Sequence, residues 1–193
     1  DMPQVGDFIV DDNPDKINNL FKMLNDEIDY RKKILQESGS SYSEYIKNNN
    51  LPLIVVILNN YEVFNELYND YDDEIISLTR EGLKYGITFI VTTTSSSLRY
   101  KLVQNFAQRL VLRMNDESDY SSILGNVNKL YPAKFIGRGL MKKEGIYEFQ
   151  TATIEEDNLQ EYIDTLEIEL NQKYKEKAKK VPVLPNVVTL DLV

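Results

Sequence analysis

The hydrophobic and polar positions of the first 50 residues predict two helices. After Asn13, apolar side chains recur at spacings of three and four residues until Gly39 ends the pattern. This period predicts a long amphipathic helix with Asn13 as its N-cap and Pro14 at its first position. Ser41 and Glu44 form a capping-box pair that predicts a second, short helix. The apolar stripe of the long helix comprises Ile17, Leu20, Phe21, Leu24, Ile28, Tyr30, Ile34 and Leu35.

Two continuous apolar runs predict strands that are buried on both faces of a parallel sheet. The first run lies at 53–58, and the second opens ITFIVTTT at 87–94. Helical periods over 61–68 and 72–85 separate the two runs. A crossover of this length predicts that the two strands are parallel neighbours.

The remaining pattern predicts five more elements and a tail. The elements are a helix over 98–106 capped by Ser97, a strand over 109–114, a helix over 117–124, a hairpin over 139–152 turning near Glu144 and Gly145, and a helix over 157–180. Such alternation is typical of an α/β sheet covered by helices on both sides. The tail either adds an edge strand through Val188, Leu190 and Leu192 or forms an extended linker.

Composition narrows the classes of protein. The chain has 193 residues, 42% of them hydrophobic, which predicts one domain over 1–193 with a sizeable core. No apolar run approaches the roughly 20 residues that cross a bilayer, and the first 30 residues lack a signal-peptide pattern, so we expect the chain by itself to be soluble. The absence of cysteine and histidine excludes disulfides, thiolate zinc sites and Ser-His triads.

The charge balance disfavours a nucleic-acid partner. The formal net charge is −9, from 31 acidic and 22 basic residues, so the summed field repels polyanions. Basic residues gather at 171–180, in NQKYKEKAKK. This run is either a solvated helix end, whose lysines complement the helix dipole, or a binding patch.

The end of the first strand raises a question about chemistry. In nucleotide-hydrolysing sheets the position after such a strand usually carries a carboxylate that holds magnesium, often beside a second one that orients water. Here the pair is Asn59 and Asn60. Neither GxxxxGK[ST] nor GxGxxG occurs among the eight glycines, and the closest motif, GRG at 137–139, precedes the predicted hairpin and is typical of a structural turn.

The order of these motifs resembles the FtsK/SpoIIIE family, and within it the EssC/YukB membrane ATPases of type VII protein secretion. The matching stretches, in chain order, are NDEIDYRKKI, LIVVILNNY, GITFIVTTTS, QNFAQRLVLRM, SDYSSILG and PAKFIGRGLMKKEGIYEFQTA. The resemblance covers residues 1–152, and VPVLPNVV resembles the segment that closes each motor domain. It implies the later two-thirds of a RecA-like domain: a parallel sheet of P-loop-NTPase type flanked by helices, with a hairpin and a long helix at the end. The segment 182–193 is then a closing tail.

The resemblance also assigns positions. It places Asn59 and Asn60 on the two acids of the Walker B strand, Tyr61 on the following aromatic residue, and Thr94 near the sensor glutamine. Because an amide lacks the negative charge that binds magnesium, the pair indicates a motor site that has lost hydrolysis. Two polar residues that cap the next helix are the structural alternative. Arg109, Arg113 and Arg138 are candidates for phosphate or trans-acting arginines, although strand-end arginines more often pair with local acids.

The function implied by the resemblance is that of a degenerate ATPase-like domain in a secretion motor. Such a domain recognises small helical WXG-type substrates and regulates the other ATPase domains of the same chain, which use ATP and Mg²⁺. It lies on the cytoplasmic side of the bacterial membrane and reaches the membrane only through the rest of the parent chain. No metal ligand and no catalytic residue is assigned within this chain, and its nucleotide-binding residues stay open.

Three rival functions remain open on sequence alone. The first is an active ATPase domain of the same family. The second is a DNA-translocating motor of the FtsK branch, which the acidic balance argues against because a DNA groove would carry a basic stripe. The third is an unrelated α/β scaffold.

Overall fold

The computed structural model describes residues 2–10, 13–153 and 158–183. The chain divides into two compact units, Arg31–Ala152 and a second formed by Asp1–Tyr30 with Thr153–Val193. The first helix, α1 (Pro14–Ser38), contributes to both units. The expectation of one domain over 1–193 stays a prediction.

The unit Arg31–Ala152 contains a parallel strand pair with its crossover. Its first elements are α2 (Tyr42–Tyr45), β1 (Ile54–Leu58), α3 (Tyr61–Leu67), a 3-10 turn (Asn69–Tyr71), α4 (Asp72–Glu81), a second 3-10 turn (Gly82–Tyr85) and β2 (Ile87–Val91). β1 and β2 pair in parallel, with Ile54 opposite Ile87 and Leu58 opposite Val91. The predicted parallel neighbours and their helical crossover are confirmed.

Arg31 fixes the entry to this parallel pair. Its side chain is 1% exposed. Its guanidinium donates to the carbonyl oxygens of Tyr85 (2.9 Å), Gly86 (3.1 Å) and Pro52 (2.9 Å), just before β2 and β1 begin. A buried guanidinium is stable only when its donors are satisfied, so α1 and both strand starts are held together by one side chain.

The later part of this unit forms a separate antiparallel sheet. Its elements are α5 (Tyr100–Gln104), β3 (Arg109–Leu112), α6 (Glu117–Leu124), β4 (Arg138–Lys142) and β5 (Ile146–Gln150). β4 pairs antiparallel with both β3 and β5. The hairpin turns near Gly145, as predicted, and the Lys143 N–H donates to the Gly145 carbonyl (2.9 Å).

This arrangement corrects one expectation. The alternation of helices and strands, which includes the strand at 109–114, predicts one α/β sheet. Within the described residues β3 instead forms hydrogen bonds with β4, and β1 and β2 form a sheet of two strands. The reason is the hairpin, because its first strand, β4, forms backbone hydrogen bonds along the whole length of β3. The antiparallel sheet packs over an apolar cluster of Val111, Tyr120, Leu124, Val127 and Leu140.

The unit formed by the two chain ends contains the start of α1 and α7 (Leu159–Lys173). Its segment 2–10 meets the segment after α7, where the Ala178 N–H donates to the Pro3 carbonyl (2.7 Å). The Asn19 amide donates to the Pro182 carbonyl (2.9 Å). Lys16 and Asp7 form an ion pair at 2.7 Å.

Helix α7 is shorter than predicted. It ends at Lys173 because Tyr174 takes an extended conformation (φ −116°, ψ 120°). Of the lysine-rich run at 171–180, residues 171–173 form the end of α7 with Lys173 in its last turn, and the rest continues outside the helix. The backbone of this later part is bonded to segment 2–10 through the Ala178 N–H. The alternating positions Val188, Leu190 and Leu192 lie outside the described residues, so the two interpretations of the tail stay open.

Candidate functional site

The carboxyl ends of β1 and β2 form the candidate site, because in parallel sheets ligands bind beyond this edge. β1 ends at Leu58 and is followed by Asn59 and Asn60, which lead into α3. β2 ends at Val91 and is followed by a loop of threonines and serines over 92–97. The Thr92 N–H donates to the Leu58 carbonyl (3.0 Å), so the two strand ends stay joined past the ladder.

Thr92 connects the loop to three consecutive residues of the opposite strand end. Its hydroxyl donates to Asn59 Oδ1 (2.7 Å) and accepts from the Asn60 N–H (2.9 Å). Its carbonyl accepts from the Tyr61 N–H (2.9 Å). The Asn59 side chain is thereby turned toward the neighbouring strand end, with its oxygen already hydrogen-bonded.

Asn60 takes a backbone conformation that few residues tolerate. Its φ is 59° and its ψ is 73°, in the left-handed region where asparagine is enriched. It occupies the N-cap position of α3 but makes no side-chain cap bond, and its Oδ1 is buried without a partner in the described part of the chain. The alternative that the two asparagines cap this helix is therefore wrong for the side chain of Asn60.

Glu62 is a carboxylate that the sequence reasoning missed. It lies in the first turn of α3 and accepts from the Thr93 hydroxyl, the Ser95 N–H (2.8 Å) and the Thr94 N–H (3.3 Å). Partial burial raises its pKa, but the hydrogen bonds from Thr93 and from the backbone outweigh burial and hold the pKa of Glu62 below its ordinary value. The signal was available: an acid in the first helical turn faces a hydroxyl-rich loop across a parallel strand pair.

Thr94 lies in the loop held by Glu62. Its side chain is exposed, and among the described residues Thr94 bonds to the site through its backbone N–H, which donates to Glu62. The structure therefore brings Thr94 within reach of Glu62 and does not bring its hydroxyl to Asn59 or Asn60. The sensor-like role of Thr94 stays a prediction.

The same loop also changes where the next helix begins. The Ser97 N–H donates to Ser95 Oγ (2.9 Å), and α5 starts at Tyr100 with Arg99 at the N-cap position. The prediction that Ser97 caps this helix is wrong. The reason is local. Hydrogen bonds to the Ser95 and Glu62 side chains hold residues 95–97 in the loop, so these residues are not available to start the helix.

A buried polar network lies behind the site. Tyr61 is 4% exposed, and its hydroxyl donates to Asp72. Arg99 donates to the second oxygen of the same carboxylate. Arg99 also pairs with Asp73 (2.9 Å). Hydrogen bonds from Arg99 to Asp72 and Asp73 raise the pKa of Arg99 above its ordinary value. The aromatic position after the asparagine pair is thus an anchor for α3 on α4.

Two further contacts explain motifs in the sequence. Asn105, of the Asn-Phe pair, donates to the Ile76 carbonyl (2.9 Å) and to Thr79 Oγ1 (2.9 Å), so it joins α5 to α4. The Ser96 hydroxyl donates to Asp119 (2.6 Å), so the aspartate of α6 holds the end of the loop. Both motifs have structural roles here.

The three candidate arginines lie in the antiparallel part of the unit. Arg109 donates to the carbonyl oxygens of Phe106 (2.9 Å) and Ile123 (2.9 Å), so its guanidinium is used in packing. Arg113 is exposed. Arg138 is 3.7 Å from Glu148, as an ion pair. Arg113 and Arg138 line one cleft at the end of β3.

The strand-end residues do not fit a magnesium ion held as the resemblance implies. Magnesium in phosphate-transfer sites is held through carboxylates and phosphate oxygens. Asn59 and Asn60 are neutral amides, and the Asn59 oxygen already accepts from Thr92. The carboxylate of Glu62 is committed to the loop.

Comparison with known proteins connects this geometry to a family. No protein-family model matches the chain. The chain is 27% identical to the type VII secretion system protein EssC of Staphylococcus aureus, in an alignment of 199 positions that covers 97% of this chain. Its fold matches EssC ATPase domains 2 and 3 from Geobacillus thermodenitrificans with a TM-score of 0.87 and 26% identity over 99% of this chain. The homologues of this chain are the EssC/EccC proteins of type VII secretion.

The match confirms the α/β fold class with a parallel sheet, and the chain is similar to the ATPase domains of type VII secretion proteins. It spans 13% of the length of the Staphylococcus aureus relative and 38% of the Geobacillus thermodenitrificans chain, which carries two ATPase domains. A third match, to Thermomonospora curvata EccC ATPases 2 and 3 in complex with a signal sequence peptide, shares the fold (TM-score 0.74, 21% identity, 93% of this chain and 35% of that one). No helix in residues 2–10, 13–153 and 158–183 is long and apolar enough to span a membrane.

Proposed function

We propose that this domain is a degenerate, non-hydrolysing member of a type VII secretion motor, which recognises exported proteins and regulates the ATPase domains of its own chain. The observation that carries the first part is the strand-end geometry. Amides stand at the two positions that the resemblance aligns with acids, the Asn59 oxygen accepts from Thr92, and Glu62 is bound to the 93–95 loop. Catalysis of phosphoryl transfer rests on positioning and charge neutralisation, and these groups supply neither.

The recognition role is supported by the relatives. A similar fold in Thermomonospora curvata EccC was solved in complex with a signal sequence peptide. The proposed partners here are small helical WXG-type proteins, together with neighbouring ATPase domains of the parent chain. The proposed location is the cytoplasmic side of the bacterial membrane, with membrane contact only through the rest of that chain. DNA is not a proposed partner, since a net charge of −9 opposes the phosphate backbone.

A phosphate-release assay with ATP and Mg²⁺ tests the loss of hydrolysis. We expect turnover at background, and a rate near 1 per second, at the low end for kinases, would contradict the proposal. The companion experiment introduces the two acids that the resemblance implies, by Asn59→Asp with Asn60→Glu, in the full parent chain. A matched variant, Asn48→Asp with Asn49→Glu, makes the same chemical change away from the strand end.

Recognition is tested by calorimetry with a WXG-type protein and with a DNA duplex, each at low and high salt. We expect the protein to bind and the duplex not to bind. Steeply salt-dependent duplex binding without protein binding would favour the DNA-translocating alternative. Binding of neither would remove the recognition role while leaving the fold assignment intact.

A further inference from the structure

A cleft of about 280 Å³ lies at the end of β3, apart from the strand-end site. Its lining combines basic and apolar side chains: Leu112, Arg113, Lys134, Phe135, Ile136 and Arg138, with Gly137 between the last two. Among the residues that the structure describes, no acidic one lines it. In a chain with a net charge of −9, three basic side chains around one cleft form a local reversal of charge.

The basic groups of the cleft are incompletely paired. Among the described residues no ion pair is recorded for Arg113 or Lys134, and both are exposed. Arg138 Nε is buried without a hydrogen-bond partner there. The nearest carboxylate oxygen, Glu148 Oε1, is 3.7 Å from Arg138 Nε, beyond hydrogen-bonding distance, and already accepts from the Ala133 N–H (2.7 Å).

The apolar groups of the cleft are exposed on an ordered loop. Ile136 is 100% exposed and Phe135 is 66% exposed. The loop backbone is nevertheless held: the Gln150 amide donates to the Ile136 carbonyl (2.9 Å), and the Thr151 N–H donates to the Gly137 carbonyl (2.9 Å). Both apolar side chains are therefore presented to solvent by a loop that β5 supports on one side.

We propose that this cleft binds a short acidic peptide segment that carries at least one large apolar side chain. The carboxylates pair with Arg113, Lys134 and Arg138, and the apolar side chain packs on Phe135 and Ile136. Peptide fits the lining better than nucleic acid, because apolar side chains lie beside the cations and the overall field repels a phosphate backbone. This inference rests on the proposed recognition function, since it names the surface and the peptide chemistry.

The test uses the whole chain and two labelled synthetic hexapeptides, one alternating leucine with glutamate and one alternating leucine with lysine. Fluorescence anisotropy should show that only the glutamate peptide binds. The double reversal Arg113→Glu with Lys134→Glu should weaken its binding by about tenfold or more, because the carboxylates then face like charge. The matched reversal Lys101→Glu with Lys143→Glu changes two exposed lysines outside the cleft and should change the affinity by less than about twofold.

A second pair of variants tests the apolar part. Ile136→Ser should weaken binding of the glutamate peptide by about fivefold, whereas Leu83→Ser, at an exposed leucine outside the cleft, should leave it unchanged. Circular dichroism of each variant verifies that the fold is retained. Equal binding of the two peptides, or equal effects of the cleft and control variants, would overturn the proposal. So would binding of a single-stranded oligonucleotide at this cleft in place of the peptide.

The same variants separate this inference from the proposed function. If a WXG-type protein binds the chain and the cleft variants leave its affinity unchanged, the cleft assignment fails and the recognition role stands. If the glutamate peptide binds the cleft but no WXG-type protein binds the chain, the recognition role fails and the cleft assignment stands.

Discussion

The parallel and antiparallel parts of the unit Arg31–Ala152 are stabilised by different kinds of contact. Around β1 and β2, polar side chains bind backbone groups at both ends of the strand pair: Arg31 at the entry, Thr92 and Glu62 at the exit. Around β3, β4 and β5, an apolar cluster centred on Leu140 supports the sheet. The cations of the nearby cleft remain available.

This difference shows where binding capacity remains in the domain. At the strand ends the side chains of Asn59, Thr92 and Glu62 already have internal partners, although Asn60 Oδ1 has none among the described residues. A ligand that approached Asn59, Thr92 or Glu62 would have to displace existing hydrogen bonds. At the cleft, Arg113, Phe135 and Ile136 face solvent, so a ligand gains contacts without breaking internal ones. The edge of the sheet where the fold usually does chemistry is thus internally bonded, and the surface suited to a partner lies on the antiparallel part.

The largest expected effect comes from removing the Arg31 side chain, which bonds the backbone just before β1 and β2 begin. Arg31→Met should lower the free energy of unfolding by about 4 kcal/mol, because three carbonyl oxygens, those of Tyr85, Gly86 and Pro52, lose a charged donor. Urea denaturation measures the change. Lys33→Met, at an exposed position two residues along α1, is the control and should cost little. Equal effects at both positions would show that the Arg31 hydrogen bonds do not stabilise the parallel part.

The corresponding test of the antiparallel part removes apolar volume. Leu140 is fully buried, and Leu140→Ala should lower the free energy of unfolding by about 3 kcal/mol through lost burial and a cavity. Leu110→Ala changes a leucine of the neighbouring strand that is 56% exposed, so its effect should be much smaller. Thermal unfolding of both variants provides the comparison. A larger loss from Leu110→Ala would contradict the assignment of the core.

Gly86 tests the steric requirement at the start of β2. Its φ is +72°, and an added Cβ would overlap the ring of Tyr42, whose hydroxyl donates to the Leu51 carbonyl. Gly86→Ala should therefore cost about 2 kcal/mol. Gly39 has a similar φ of +63° with nothing within 4 Å of an added Cβ, so Gly39→Ala reports the backbone cost alone. If chemical denaturation gives equal losses, the contact with Tyr42 is unimportant.

The smallest expected effect concerns the hydrogen bonds that join the Glu62 carboxylate to the 93–95 loop. Because the pKa of Glu62 is lowered in the folded state, its ionised form stabilises the fold above about pH 4.5, and this contribution is lost as pH falls through the lower folded pKa. Glu62→Gln should cost about 1 kcal/mol near neutral pH. The difference from the unaltered chain should shrink below about pH 4.5.

Urea midpoints measured from pH 7 to pH 3 check this pH dependence. Glu66→Gln, at an exposed position of the same helix, is the matched control. A difference between the Glu62 variant and the unaltered chain that stays constant over the whole range would mean that the carboxylate charge is not what holds the loop.

The candidate site was only partly predictable. The apolar run at 53–58 located the strand end, so Asn59 and Asn60 could be named from the sequence. The roles of Thr92 and Glu62 depend on the register that places Leu58 opposite Val91, and on a loop that turns back toward α3. Sequence spacing does not predict that register, because residues 59 and 92 are far apart along the chain and come together only when β1 and β2 pair.

The sequence by itself determined the order of helices and strands, the parallel pairing of β1 with β2, and the amide pair at the strand end. Local periodicity and crossover length are enough for these, since they depend on near neighbours and on chain length. Tertiary structure alone decided that β3 joins the hairpin, that Arg31 bonds three carbonyls, and that Arg113, Phe135 and Ile136 share one cleft. These features arise from contacts between distant segments, where hydrogen bonding and exclusion of water choose among partners that the local pattern leaves equivalent.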